Sequence, residues 1–449
     1  MKRLLEGFIE EFSKDVLFAD VYVEEEDSFV LVLEPGEKVE EISWGKDGGI
    51  SLRRITPDLK TEFWVSGGGV KHLPEKFAKN LEWIEKELLF QKKGSFIPGS
   101  FFIEKRLRFL KKLVDKIPLD TRIKHYRIGL REIAKKVWIC TSEGNIVEEE
   151  RRYLRIGALI VVEENGRLET GYEVAGKRVS FEEAMELEEF LKVSEVAAKL
   201  ALKMLDAKKA PAGIMPVVLA GEAGGTMIHE AVGHGLEADH AEAGLSVYSG
   251  RIGEKVASEL ITVIDDPTIE KLYGSYEWDD EGSPAESVVL IENGILKNFL
   301  YDRFTALKYK KKTNGHGRRE NFRHIPIPRM SNTFIKPGSM KSEEIIKSID
   351  KGLLVKKMGG GEVNPLTGDF VFEVREGYYV EKGEICYPVK GATLVGNGPK
   401  VLESIDMVGD RLFFEPGVCG KDGQGVPVTD AQPTIRIPEI TVSGTLGSD

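Results

Sequence analysis

Cysteine is scarce in this chain: Cys140, Cys386 and Cys419 are three among 449 residues. So few cysteines, with no secretory leader in front, exclude a disulfide framework and point to a reducing cytoplasm. Long apolar runs are also missing, and none approaches the ~20 residues that a membrane-spanning helix needs. The first twelve residues place Leu4, Leu5, Phe8, Ile9 and Phe12 at helical spacing, and the acids among them exclude a signal segment. Positive charge is not in excess either. A net charge of −11 argues against nucleic acid as the main ligand. No internal repeat or low-complexity segment is found. What remains is an ordinary 41% hydrophobic content in a chain long enough for two or three domains. Its charged fraction, 31% and rich in Lys and Glu, fits a thermophilic source.

The pattern predicts an α+β fold in two unequal halves. Val16 to Val65 reads as strands with hairpin turns at Glu24–Asp27, Pro35–Glu37 and Lys46–Gly49. Leu73 to Phe90 and Phe101 to Ile117 read as amphipathic helices. Arg122 to Glu173 gives three or four strands turning near Ser142–Asn145 and Glu164–Gly166. Ser180 and Glu183 form a capping box that opens a long helix to about Ala207. The boundary falls at Lys208-Lys209-Ala210-Pro211, giving an N-terminal α+β domain of antiparallel strands with helices (1–209) and a C-terminal mainly-β domain (210–449). In the second half only the histidine-bearing helix and Ser342 to Ile349 break the run of strands and turns.

His229-Glu230-Ala231-Val232-Gly233-His234 carries the chemistry. Two imidazoles bracketing a carboxylate suit a zinc ion that holds a water, with Glu230 as the base. The familiar zinc-protease spacing is i and i+4, which puts the two side chains about 40° apart on a helix. Here the spacing is i and i+5, about 140° apart. An over-wide π-type turn would realign them, most easily around Val232-Gly233, where the glycine tolerates distortion. Pro216–Ala220 reads as a strand and Gly221–Gly225 as a turn, with Thr226 as N-cap of the helix. No phosphate-binding G-x-x-x-x-G-K-[ST] run accompanies these glycines.

A catalytic zinc needs a third protein ligand. His240, Glu237, Glu254 and Glu259 are candidates, together with Cys419, which lies in the glycine-rich stretch Glu415–Gly425 taken here as a loop. Cys140 and Cys386 sit in apolar runs and read as buried strand residues. Arg318, Arg319 and His324 belong to a basic stretch around Gly315 and Gly317, and are candidate donors to a substrate carbonyl or its oxyanion.

The run Gly224–Asp239 resembles the signature of the TldD/PmbA family, described as modulators of DNA gyrase. Asp279–Gly282, Gly317–Glu320, Pro328–Thr333, Tyr387–Leu394 and Cys419–Gln424 resemble the same family. The resemblance is specific from about residue 210 onward. It implies a zinc metalloprotease acting on peptides or unfolded segments, with His229, His234 and Cys419 as ligands and Glu230 as catalytic carboxylate. It also implies a dimer, with itself or with a PmbA/TldE-like paralogue that lacks the motif. Two other classes share the zinc reading: a non-peptidase hydrolase such as an amidase, and a silent assembly subunit with a structural metal. Glu230 separates the hydrolases from the latter, since a structural site uses four protein ligands and needs no base.

Overall fold

Along Ile146–Glu164 nearly every second side chain is buried, the period-two pattern of a strand resting one face on a core. In the computed structural model, which describes residues 2–67, 70–72 and 100–444, this strand belongs to a seven-stranded sheet. Its members are β1 (Phe18–Glu34), β2 (Lys38–Ile55), β3 (Thr61–Gly67), β4 (Val70–His72), β5 (Ile123–Thr141), β6 (Ile146–Glu164) and β7 (Arg167–Lys177). All neighbours run antiparallel in the order β4-β3-β2-β1-β5-β6-β7. Three helices, α1 (Lys2–Phe12), α2 (Ser100–Val114) and α3 (Glu188–Leu205), cover one face. Val21, Val23, Leu31 and Leu33 of β1 point into the cores beneath them. The expected helix at Leu73–Phe90 lies outside the described residues.

Two expectations are corrected in this half. Glu24–Asp27 and Lys46–Gly49 are not turns; they pair with each other inside one long hairpin, Asp27 opposite Lys46 and Glu25 opposite Gly48. Only Pro35–Glu37 turns. The capping box at Ser180 is present, but its helix stops at Ala184 and α3 starts afresh at Glu188. Phe181 and Phe190 both enter the same core. Nine residues apart on one helix they would face opposite sides, about 180° apart, so the break lets both be buried.

Beyond residue 210 come β8 (Gly213–Leu219), β9 (Val263–Asp265), β10 (Val288–Glu292), β11 (Ile295–Leu296), β12 (Asn332–Ile335), β13 (Lys351–Val363), β14 (Asp369–Glu381), β15 (Glu384–Lys390), β16 (Thr393–Asn397), β17 (Phe413–Lys421), β18 (Gln424–Gln432) and β19 (Ile435–Ser443). Five of them close a circuit, β13-β8-β19-β16-β14 and back to β13. A second sheet runs β11-β10-β9-β12-β18-β17, so β17 ends it. The helix that carries His229 and His234 is packed in the shared core.

The other face of the N-terminal sheet meets this half through charge. Arg53, fully buried, pairs with Asp20 (2.5 Å) and with Glu281 (2.7 Å). Arg319 reaches Asp20 and Arg151 reaches Asp280. Removing one member of such a buried pair typically costs about 3–5 kcal/mol, because its partner is left bare. These pairs fix how the two parts of the chain sit.

Candidate metal centre

β8 ends at Leu219 and the chain turns through Gly221–Ala223 and Gly224, whose φ of +73° suits glycine. Residues 226–236 then form one helical run, α4. Met227, Ile228, Ala231, Val232 and Leu236 enter the core. Within the run, His229–Gly233 form a π turn, and the His234 N–H donates to the His229 carbonyl, an i→i+5 bond. A perturbed backbone hydrogen bond is worth about 0.5–1.5 kcal/mol. Burial of each larger aliphatic side chain contributes about 1.5–3 kcal/mol. The core, not helical propensity, therefore holds the widened turn.

The wide turn brings the imidazoles together. Their ring centres lie 5.0 Å apart at 89°. Cys419 comes from β17, which is not a loop as expected but one arm of the β17–β18 hairpin. Asp422 (φ +50°) and Gly423 (φ +72°) make its two-residue turn. Cys419 Sγ lies 3.1 Å from His229 Nε2 and 3.4 Å from His234 Nε2. The opposite ring nitrogens are tied down: His229 Nδ1 to Asp430 Oδ1 at 2.7 Å, and His234 Nδ1 to Glu237 Oε2 at 2.9 Å. Each carboxylate so fixes its ring with Nε2 facing the sulfur, the arrangement usual for metal-binding histidines. Glu230 stands beside them with a side chain one-third exposed, 4.0 Å from His234 Nε2.

Electrostatics agree with this geometry. Burial raises the Cys419 thiol, but His229 and then His234 outweigh it and bring its pKa to about 6. Burial lowers His234, but Glu237 and Cys419 raise it to about 9. Against its burial, His229 is raised by Asp430 and Cys419. Glu237, though fully buried, is held far below the usual carboxylate range by Lys421 and then His234. Two imidazoles and a thiol drawn towards thiolate, with their ligating atoms facing one another, are a donor set that fits a zinc-like ion, which would displace the protons the rings carry.

The remaining candidates fall elsewhere. His240 Nδ1 faces the His234 carbonyl at 3.4 Å, Glu254 pairs with Arg251 and Glu259 with Lys255. Glu237 orients a histidine instead of joining the cluster. Arg318 and Arg319, the candidate donors to substrate, are buried and bonded within the chain. Arg318 donates to the Met330 and Pro427 carbonyls, and Arg319 to Ser51 Oγ and the Asp280 carbonyl. His324 is half-buried against Asn321, 3.1 Å away. Sequence reasoning missed Asp430, Lys421 and Arg329, whose Nη2 donates to the Cys419 carbonyl (2.5 Å). The Asp422-Gly423 pair was the available signal. It sets Cys419 opposite Val426, and Asp430, four residues on, shares that face.

Close approach explains the third glycine of the turn. A Cβ on Gly225 would sit 2.5 Å from both Ala431 N and Asp430 Cβ. Gly225→Ala is therefore expected to destabilise the chain by about 1–3 kcal/mol. Gly420→Ala, which meets open space, should stay within about 0.5 kcal/mol. Equal denaturant midpoints for the two variants would defeat this account of the contact.

One buried and one largely buried imidazole facing a thiolate, with a partly exposed carboxylate alongside, suit a metal-dependent hydrolase. Residues 97–205 match the central domain, and residues 212–444 the C-terminal domain, of the PmbA/TldA metallopeptidases. A protein named metalloprotease TldD homolog from Haemophilus influenzae is 36% identical, across 96% of this chain and 94% of its own length. The chain belongs to the PmbA/TldD family of metallopeptidases. Its fold is that of a candidate modulator of a DNA gyrase from Thermotoga maritima (TM-score 0.77, 22% identity, 98% of this chain and 99% of that one). TldE from Thermococcus kodakarensis shares it as well (TM-score 0.74, 20% identity, 98% and 100% covered).

Proposed function

We propose that this chain is a zinc-dependent peptidase acting on peptides or unfolded segments, with His229, His234 and Cys419 as the ligands and Glu230 as the base. The observation that carries this reading is the convergence of those three side chains, whose ligating atoms all lie within 4.8 Å of one another. Bound zinc would polarise the scissile carbonyl and make a water acidic enough to attack at neutral pH. Asp430 and Glu237 keep the rings aimed. Glu230, the exposed acid of the group, takes the proton of the attacking water and returns one to the leaving amine.

β17 supplies a place for the substrate. It ends its sheet and carries Cys419, while Phe413, Phe414 and Val418 are exposed along it. An extended peptide can pair with such a strand through main-chain hydrogen bonds, which makes few demands on its sequence. A folded domain has no free strand to offer. Enclosure is supplied by a second chain of the same fold, itself or a TldE-like paralogue. The three cysteines are all free thiols and no described helix is long and apolar enough to cross a membrane, which supports a cytoplasmic setting. The domain boundary near residue 209 is kept in this reading, and direct nucleic-acid contact is left out of it on the net charge of −11.

The test is metal content together with cleavage of a disordered peptide, measured with and without the paralogue. The expected result is bound zinc and hydrolysis that a chelator abolishes and the paralogue enhances. Hydrolysis indifferent to chelation would overturn the reading.

A further inference from the structure

Lys421 lies on β17 two residues from Cys419 and on the same face, and it is almost fully buried. Its Nζ donates to Glu237 Oε2 (3.0 Å), to Asp239 Oδ1 (2.7 Å) and to the Pro328 carbonyl (3.3 Å). An ammonium has three hydrogens, and all three are used. Lys421 therefore has no donor left for a substrate and is not a catalytic residue. Nor does the acidic corner stand ready for a second metal ion. Glu237, Asp239 and His240 offer ligand atoms within 4.8 Å of one another, but the ammonium already bonds both carboxylates.

We propose that Lys421 is a positioning residue for the metal centre, clamping the strand of Cys419 to the segment after α4 by holding Glu237 and Asp239, so that Glu237 in turn aims His234 at the sulfur. This rests on the ligand assignment proposed above. The two ligands come from parts of the chain 185 residues apart. Backbone pairing cannot set their spacing, because α4 and β17 are not hydrogen-bonded neighbours in any sheet. The ammonium does so directly. Along an extended strand two residues cover about 6.6–6.8 Å, so fixing Nζ fixes the sulfur at a short, stiff offset. At the other end Glu237 is only three residues past His234 and shares one oxygen, Oε2, between its ring and the ammonium. Its second oxygen, Oε1, is buried with no hydrogen-bond partner. Without the ammonium this carboxylate would be nearly bare, and it would be drawn out of the core, away from the imidazole. Arg329, bonding the Cys419 carbonyl, steadies the strand but touches neither histidine.

The experiment is titration of the metal-free full chain with cobalt(II), reading both affinity and the thiolate-to-cobalt charge-transfer band. K421M should lower affinity by about 10–100-fold, as loss of an outer partner does in other metal sites. It should also weaken the thiolate band relative to the ligand-field bands. E237Q added to K421M should recover affinity, since the amide still accepts from His234 Nδ1 and leaves no bare charge. A drop that E237Q fails to reverse is a packing defect and overturns the assignment, as does a folded K421M that binds cobalt like the wild type. If K421M does not fold, D239N decides: a smaller drop in the same direction supports the clamp, and wild-type affinity overturns it. A wild-type chain that takes up no cobalt overturns the ligand assignment itself, and is told apart because no variant is needed to see it.

Discussion

Replacing Glu230 with glutamine should leave the fold and the bound metal in place while peptide hydrolysis falls by about 10²–10⁴-fold, the usual contribution of a general base. The expectation of a selective loss comes from how little else Glu230 does. Its side chain is one-third exposed, and its one ion-pair contact among the described residues is the 4.0 Å approach to His234. Glutamine has nearly the same shape and cannot accept a proton at neutral pH. The contrast is Glu237, buried and bonded to a histidine and a lysine, where the same change strikes the frame. Metal analysis and kcat on a disordered peptide decide the matter. A Glu230→Gln chain that hydrolyses at the wild-type rate would remove Glu230 from the mechanism.

Cys419→Ala should cost the metal itself. Losing an outer partner lowers affinity by about 10–100-fold, and losing one of three ligands should cost more. Cys140→Ala and Cys386→Ala should retain full metal content, since Cys140 lies in the N-terminal core and Cys386, on β15, is exposed and not buried as its apolar neighbours suggested. The wild-type affinity should also depend on pH with a definite sign. With a pKa of about 9 in the metal-free chain, His234 carries a proton at neutral pH that a metal must displace. Uptake should therefore release protons, and affinity should fall as pH is lowered from 9 towards 6. A Cys419→Ala chain with undiminished zinc would move the third ligand elsewhere, and affinity rising in acid would contradict the charge states described for the rings.

Some of this arrangement is legible in the sequence because its cause is local. The i+5 spacing of two histidines with a glycine between them demands a widened turn, and the turn is there. The Ser180 capping box is local too, whereas the break after Ala184 answers to a core that both phenylalanines share. The long β1–β2 hairpin was misread for a related reason. Its acidic run and its glycines look like turns until they are placed opposite each other. A Cβ on Gly49 would meet the Phe322 ring at 2.3 Å, so that glycine answers to a residue far along the chain. Asp430 was invisible in the same way, being 201 residues from the histidine it orients. The burial of the arginines at 318 and 319 was equally out of sight, because their carbonyl and carboxylate partners are scattered across the chain.

The widened turn also bears on how this motif can have changed over time. It takes up one residue more than a regular turn, so His234 faces where the fourth residue after His229 would face on a plain helix. Deleting one residue between Glu230 and His234 would therefore restore the commoner spacing while leaving Leu236 in the core and Glu237 beside Lys421. The longer and shorter motifs stand a single deletion apart, and the hairpin that carries Cys419 serves either one.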